Sequence, residues 1–240
     1  MDQKVAVVTG GGRRLGRAIA ETLAGAGYDL FLTYLESERG AHETAEAARA
    51  AGRRAHAFRA DLRAPGEAEA VAAAATGLFA GVDLLVNNSA IFRQTPIEAV
   101  DQESWVVDFR VNLMSPLFLS RALWPALRER RGSIVNVGSL GGRLVYRRHL
   151  VYSLTKAALA HLTRGMARRF APEVRVNSVA PGGVEFAPSE PGAALPPLDR
   201  IPLGRFADPR EVAALVLFLA EDAGYVTGQT IPIDGGRSIG

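Results

Sequence analysis

Residues 5–20 read VAVVTGGGRRLGRAIA: a short β-branched apolar run, a glycine-rich turn, and the opening of a helical pattern. This strand–turn–helix order is the context in which a glycine cluster becomes a phosphate site rather than a plain loop. Glycine lets the backbone approach an anion closely, and the N–H groups at a helix N-terminus point toward it. Gly10, Leu15 and Gly16 are therefore candidate contacts to a bound nucleotide. Two arginines, Arg13 and Arg14, interrupt the glycines and place cations where such a turn usually carries no side chain.

Outward from this turn the chain alternates. Apolar strand-like runs fall at 29–34, 54–62, 82–88, 132–139, 174–182 and 229–236. Helix-like stretches fall between them, at 17–27, 38–51 and near 66–80, 104–130, 150–171 and 209–221. Strands alternating with helices of this length form βαβ units, and right-handed crossovers wind them into a parallel sheet covered on both faces. The expected fold is α/β, a Rossmann-type doubly wound sheet of about seven strands in a single domain spanning 1–240. The one departure in composition is 183–206, rich in Pro and Gly without a steady period, and is expected to be a loop that covers substrate.

Composition removes several classes of chemistry. There is no cysteine, so disulfides, thiolate catalysis and thiolate metal sites are excluded, and no metal site is expected. No apolar run is long enough to span a membrane, and the N-terminus lacks a signal peptide's apolar core; a cytoplasmic location is expected. Only Lys4 and Lys156 are lysines among the 28 basic residues, and the net charge is +3. The arginine clusters 128–131 and 143–148 follow no single helix or stripe, so nucleic acid is not an expected partner.

Chemistry-bearing residues sit where strands end. Asp61 closes the third strand and is placed to accept a hydrogen bond from an adenine amino group. Asn87 and Asn88 close the fourth, at the carboxyl edge where ligands of such sheets bind. Tyr152 and Lys156, four apart in a helical stretch, share one face. An ammonium there is expected to lower the tyrosine's pKa toward acid–base use. Ser139 follows a strand and can hydrogen-bond a carbonyl oxygen.

In order and spacing, Thr9-Gly10-x-x-x-Arg14-x-Gly16, Asn87-Asn88, Asn112, Ser139, Tyr152-x-x-x-Lys156 and Pro181-Gly182 resemble the short-chain dehydrogenase/reductase family over essentially the whole chain. The resemblance implies a nicotinamide-dependent oxidoreductase acting on a small molecule. In it Tyr152 exchanges a proton with the substrate oxygen and Ser139 orients that oxygen. Lys156 binds the nicotinamide ribose and depresses the pKa of Tyr152, while Asn112 holds a water in a proton relay. By the same resemblance the cofactor also contacts Tyr34, Glu36, Ser37, Asp61, Leu62, Asn88, Ser89, Ala90, Pro181 and Gly182. Substrate contacts fall to Arg14, Phe92, Ser139, Tyr152 and Phe186, and a homotetramer or homodimer is implied.

Two alternatives stay open. Arg14 in place of the family's usual glycine, and Phe92 four residues after Asn88, look like the pteridine reductases. Against that, Ser139 stands where those enzymes carry aspartate and Ile91 where they carry serine, which suits an ordinary ketone or a β-ketoacyl thioester. Glu36 would bind ribose hydroxyls and favour NAD, whereas Arg13, assisted by Ser37, fits a 2′-phosphate and favours NADP. The balance of these residues leans to NADP.

Overall fold

The computed structural model describes residues 3–186 and 196–239. Its strands are β1 (Val5–Val8), β2 (Asp29–Tyr34), β3 (Ala55–Arg59), β4 (Leu84–Asn87), β5 (Ser133–Val137), β6 (Arg175–Pro181) and β7 (Thr230–Ile233). Between them run α1 (Arg14–Gly25), α2 (Glu38–Ala50), α3 (Glu67–Leu78), α4 (Gln102–Phe109), α5 (Ser115–Glu129), α6 (Leu150–Phe170) and α7 (Pro209–Glu221). The seven strands form one sheet in the order β3-β2-β1-β4-β5-β6-β7, and every pairing is parallel. Reversal of strand order beside β1 opens a crevice at the carboxyl edge, between β1 and β4.

The strands are apolar on both faces because both are covered. Ala6, Val8, Leu30 and Leu32 pack under α1, α2 and α7. Their neighbours Val5, Val7 and Phe31 pack under α3, α5 and α6. Period-two alternation therefore divides each strand between two layers rather than between core and solvent. Local signals set the ends: α7 starts at a capping box in which Asp208 and Glu211 satisfy each other's backbone N–H groups.

Three sequence expectations need correction. The helix expected near 104–130 is two helices, α4 and α5, joined by a π-helical turn at Arg110–Met114. Pro116 lies in the first turn of α5, where a missing N–H starts a helix more readily than it continues one. The strand expected at 54–62 ends at Arg59: the ladder's last bond runs from Ala60 N–H to Tyr34 O, and the Asp61 carboxylate then turns the chain by accepting Arg63 N–H. The run 229–236 yields only four strand residues before a turn held by Asp234. Of the proposed loop 183–206, residues 187–195 lie outside those described; its ends hold a bridge between Val184 and Ala207 and a 3-10 turn at Leu198–Arg200.

Candidate active site

A cavity of about 1200 Å³ lies along the carboxyl edge of β1 to β6. That exceeds the roughly 300–1,000 Å³ of a single small-molecule site, and suits a dinucleotide with a substrate beside it. Every residue assigned above to cofactor or substrate lines it, from Gly10 through Phe186, and Asn112 does not.

At one end the glycine turn is closed by its neighbours. Gly10 adopts φ +67°, and a Cβ on Gly16 would stand 2.0 Å from the Gly10 carbonyl oxygen. Only a bare backbone fits there. Asn88 Nδ2 donates to the carbonyls of Thr9 and Gly10 at 2.8 and 3.2 Å, while Thr9 Oγ1 accepts the N–H groups of Asn88 and Ser89. The amide of Asn88 thus spends its donors holding the turn. Asn87 is buried against Ser120 and Asn136 and does not line the cavity.

Helix α1 begins with no side-chain cap and no acidic residue in its first turn, so the positive end of its dipole is uncompensated by carboxylate. Arg14, its first residue, holds φ +49°. A non-glycine side chain there costs about 1 kcal/mol or more, the kind of strain retained at functional sites. Its guanidinium lies 5.6 Å from the Phe186 ring centroid. The glycine cradle, the bare helix end and the flanking cations fit a dinucleotide pyrophosphate. Toward its adenosine end, Asp61 is already gripped by Arg63 through two bonds of 2.7 Å, which holds its carboxyl below the usual range.

The other end carries the reactive set. Ser139 caps a 3-10 turn, its Oγ accepting Gly141 N–H at 3.0 Å. Tyr152 rises from the first turn of α6 and lines the same cavity as Ser139. Lys156, buried at 3 % exposure one turn on, donates Nζ to the Val137 carbonyl at 2.7 Å. Burial pushes the Tyr152 phenol up to about 12, with Ser139 pulling down and Tyr146 pushing further up. This corrects the expectation that Lys156 lowers it: the ammonium is committed to a backbone oxygen, and desolvation dominates. Burial also brings Lys156 down to about 8.

Asn112 makes direct bonds of its own. Its Oδ1 accepts Ile91 N–H at 2.7 Å, and its Nδ2 donates to Ile91 O at 2.9 Å and Thr155 Oγ1 at 3.1 Å. It clamps the segment after β4 onto α6, and none of these bonds reaches Lys156. That segment carries Phe92, which stacks on His149 at 4.2 Å and meets Tyr152 edge-on at 4.5 Å. His149, Tyr146, Arg63 and Arg237 also line the cavity and were not singled out in the sequence. His149 had a signal, three residues before Tyr152 at the N-cap of the same helix; the others have none, since only folding brings them here.

A doubly wound sheet with a nucleotide cradle at its switch point and a Ser–Tyr–Lys set in the same cavity defines a dinucleotide-dependent oxidoreductase. Comparison with known proteins agrees. A family model described as enoyl-(acyl carrier protein) reductase matches residues 11–238. An uncharacterized oxidoreductase of Mycobacterium tuberculosis is 39 % identical over 247 residues, covering 100 % of this chain and 94 % of its own. The 3-oxoacyl-(acyl-carrier-protein) reductase FabG of Vibrio cholerae is 37 % identical over 242 residues, covering 98 % of each. A blue fluorescent protein from a metagenomic library, solved in complex with NADPH, aligns with a TM-score of 0.92 at 32 % identity, covering 99 % of this chain and 98 % of that one. The chain belongs to the short-chain dehydrogenase/reductase family and is an NAD(P)-dependent oxidoreductase. Among the described residues no helix is long and apolar enough to cross a membrane.

Proposed function

We propose that the protein reduces the carbonyl group of a small ketone with NADPH. The gathering of Ser139, Tyr152 and buried Lys156 on the wall of one cavity carries this reading. The phenol is protonated at neutral pH, as a group must be that gives its proton to a carbonyl oxygen gaining a hydride. Ser139 orients and polarises the same oxygen. Lys156 is the buried cation behind Tyr152, placed to hold the nicotinamide ribose. When bound, the reduced dinucleotide supplies the hydride, and the protein supplies position and electrostatics.

The 2′-phosphate reading rests on Arg13 and Ser37, both lining the cavity beside Glu36. The neighbour that holds NADPH supports the same choice. Pterin is less well supported: one face of Phe92 is already covered by His149, and Ser139 is a neutral hydroxyl rather than an acid suited to a ring nitrogen. Residues 183–206 serve as a substrate loop in this reading, with Phe186 and Pro196 on the cavity wall. Self-association into dimers or tetramers completes it.

The test is a panel of both reduced cofactors against small ketones, a β-ketoacyl thioester and dihydrobiopterin. NADPH is expected to outperform NADH with a ketone, and Tyr152→Phe to lower kcat by about 10²–10⁴-fold, the usual worth of a general acid. Turnover of dihydrobiopterin without any ketone, or wild-type rates in Tyr152→Phe, would sink the reading.

A further inference from the structure

The charges along the cavity wall are unevenly shared. Its acidic residues, Glu36 and Asp61, stand after β2 and β3 at the adenosine end, and Asp61 is paired with Arg63. Around Ser139 and Tyr152 the described lining residues include no carboxylate, yet they include the half-buried Arg237. This arginine follows β7 and reaches back over the sheet edge. Its Nη1 donates to Gly182 O at 3.0 Å, and its guanidinium lies 5.3 Å from the Tyr146 ring centroid.

Arg237 forms no ion pair with a carboxylate among the described residues. The acid nearest in the chain, Asp234, is committed elsewhere: its two oxygens accept the backbone N–H groups of Gly236 and Ser238 at 3.0 and 2.8 Å. A guanidinium carries five N–H donors in a rigid fork that matches a carboxylate. Here one of them is used. The wall leading to it is aromatic: Phe92 meets Tyr152, His149 stacks on Phe92, and Tyr146 meets His149 edge-on at 6.5 Å. Tyr146 then carries Arg237. A flexible chain laid along that wall would have an apolar flank and a cation at its far end.

We propose that Arg237 is a specificity-determining residue that receives the carboxylate of an oxo carboxylic acid whose ketone sits at Ser139 and Tyr152. This rests on the carbonyl reading above and narrows its substrate class. Reduction is unchanged in its balance: hydride from the dinucleotide to the carbonyl carbon, a proton from Tyr152 to the oxygen, and the carboxylate as a spectator that fixes position.

The experiment compares a short series of straight-chain oxo acids, differing in the number of methylenes between ketone and carboxylate, with their methyl esters under saturating NADPH. For the chain length that spans the wall, the acid is expected to exceed its ester in kcat/KM by about tenfold to a hundredfold, through KM, as befits a charge-assisted contact. Arg237→Met is expected to bring the ratio of acid to ester kcat/KM down to about one. Because Arg237 also ties the C-terminal segment to Gly182, Arg237→Gln serves as a second variant. It keeps a donor for the carbonyl and loses the charge, and the acid-to-ester ratio should fall to about one in it as well. Equal turnover of acid and ester by the wild type, or a preference that survives in the Gln variant, overturns the Arg237 contact alone. Failure to reduce any acid or ester overturns the carbonyl reading and this inference with it.

Discussion

Lys156 occupies a place where a cation is costly. It is one of two lysines in the chain, is nearly inaccessible, and has a single hydrogen bond, to the Val137 carbonyl. Burial depresses its pKa from 10.5 to about 8. The unfolded chain therefore binds more protons than the folded one between those values, so stability rises with pH across that window and the cost is full below it. The shift corresponds to a penalty of about 3 kcal/mol at pH 7, offset by about 1 kcal/mol for the backbone bond. Lys156→Met is accordingly expected to abolish turnover yet raise the free energy of unfolding at pH 7 by about 1–2 kcal/mol. Urea titrations of both proteins at several pH values check this, and the gap should close as pH approaches 10.5. A Met variant no more stable than wild type at neutral pH would show that the ammonium is better solvated than its burial indicates. Tyr152 behaves in the opposite sense. Its folded value lies above the ordinary one, so its contribution is present below pH 10 and is lost as pH rises toward 12.

At the scale of elements, the π-helical turn between α4 and α5 is what brings Asn112 to Ile91. Three bonds from one buried amide fix the segment that carries Phe92, and the ion pair of Arg93 with buried Asp108 fixes it again. Removing the amide leaves Ile91 N–H and O without their partner in a largely enclosed place, which costs about 1–3 kcal/mol. Asn112→Ala is therefore expected to lower stability by about that amount and also to raise KM, because Phe92 and His149 form the wall beside Tyr152. Intact stability together with a lost solvent relay would instead support the water-holding role implied by family resemblance. The same element shows where sequence reading stops. Strand and helix positions were legible because apolar runs and helical periodicity are local. The nucleotide turn was legible because its glycines, strand and helix are contiguous. Whether a helix passes through Ser115-Pro116 unbroken depends on a side chain bonding to a backbone twenty-one residues away. Whether Lys156 or desolvation governs Tyr152 depends on where the ammonium points once β5 is beneath it. Arg237 and Tyr146 enter the site through tertiary contact alone, and no spacing rule announces them.

At the scale of the molecule, the exposed apolar residues are unevenly placed. Val106 on α4, Met114 and Leu117 at the π-helical turn and the start of α5, and Leu154 on α6 are each between 37 and 41 % exposed. Single exposed apolar residues are ordinary, but a face built from these four, on elements that pack against one another, would be one that water covers poorly. All four lie close in sequence to residues that build the site: Asn112 is two positions from Met114, and Leu154 sits between Tyr152 and Lys156. Covering this face with a second copy would bury apolar area and at the same time brace the helix that carries the proton donor. The mass of one chain is 25.5 kDa. Light scattering on the purified protein is expected to give two or four times that value, and Leu117→Glu with Leu154→Glu to reduce it toward a single chain, because two charges cannot be desolvated at a self-facing patch. The variant should also lose thermal stability at α6 and turn over more slowly, with KM for cofactor rising before KM for ketone, since Lys156 lies on the braced helix. A wild-type mass of one chain at micromolar concentration would mean that the apolar face is simply solvated, and that α6 holds Tyr152 in place without help from a partner.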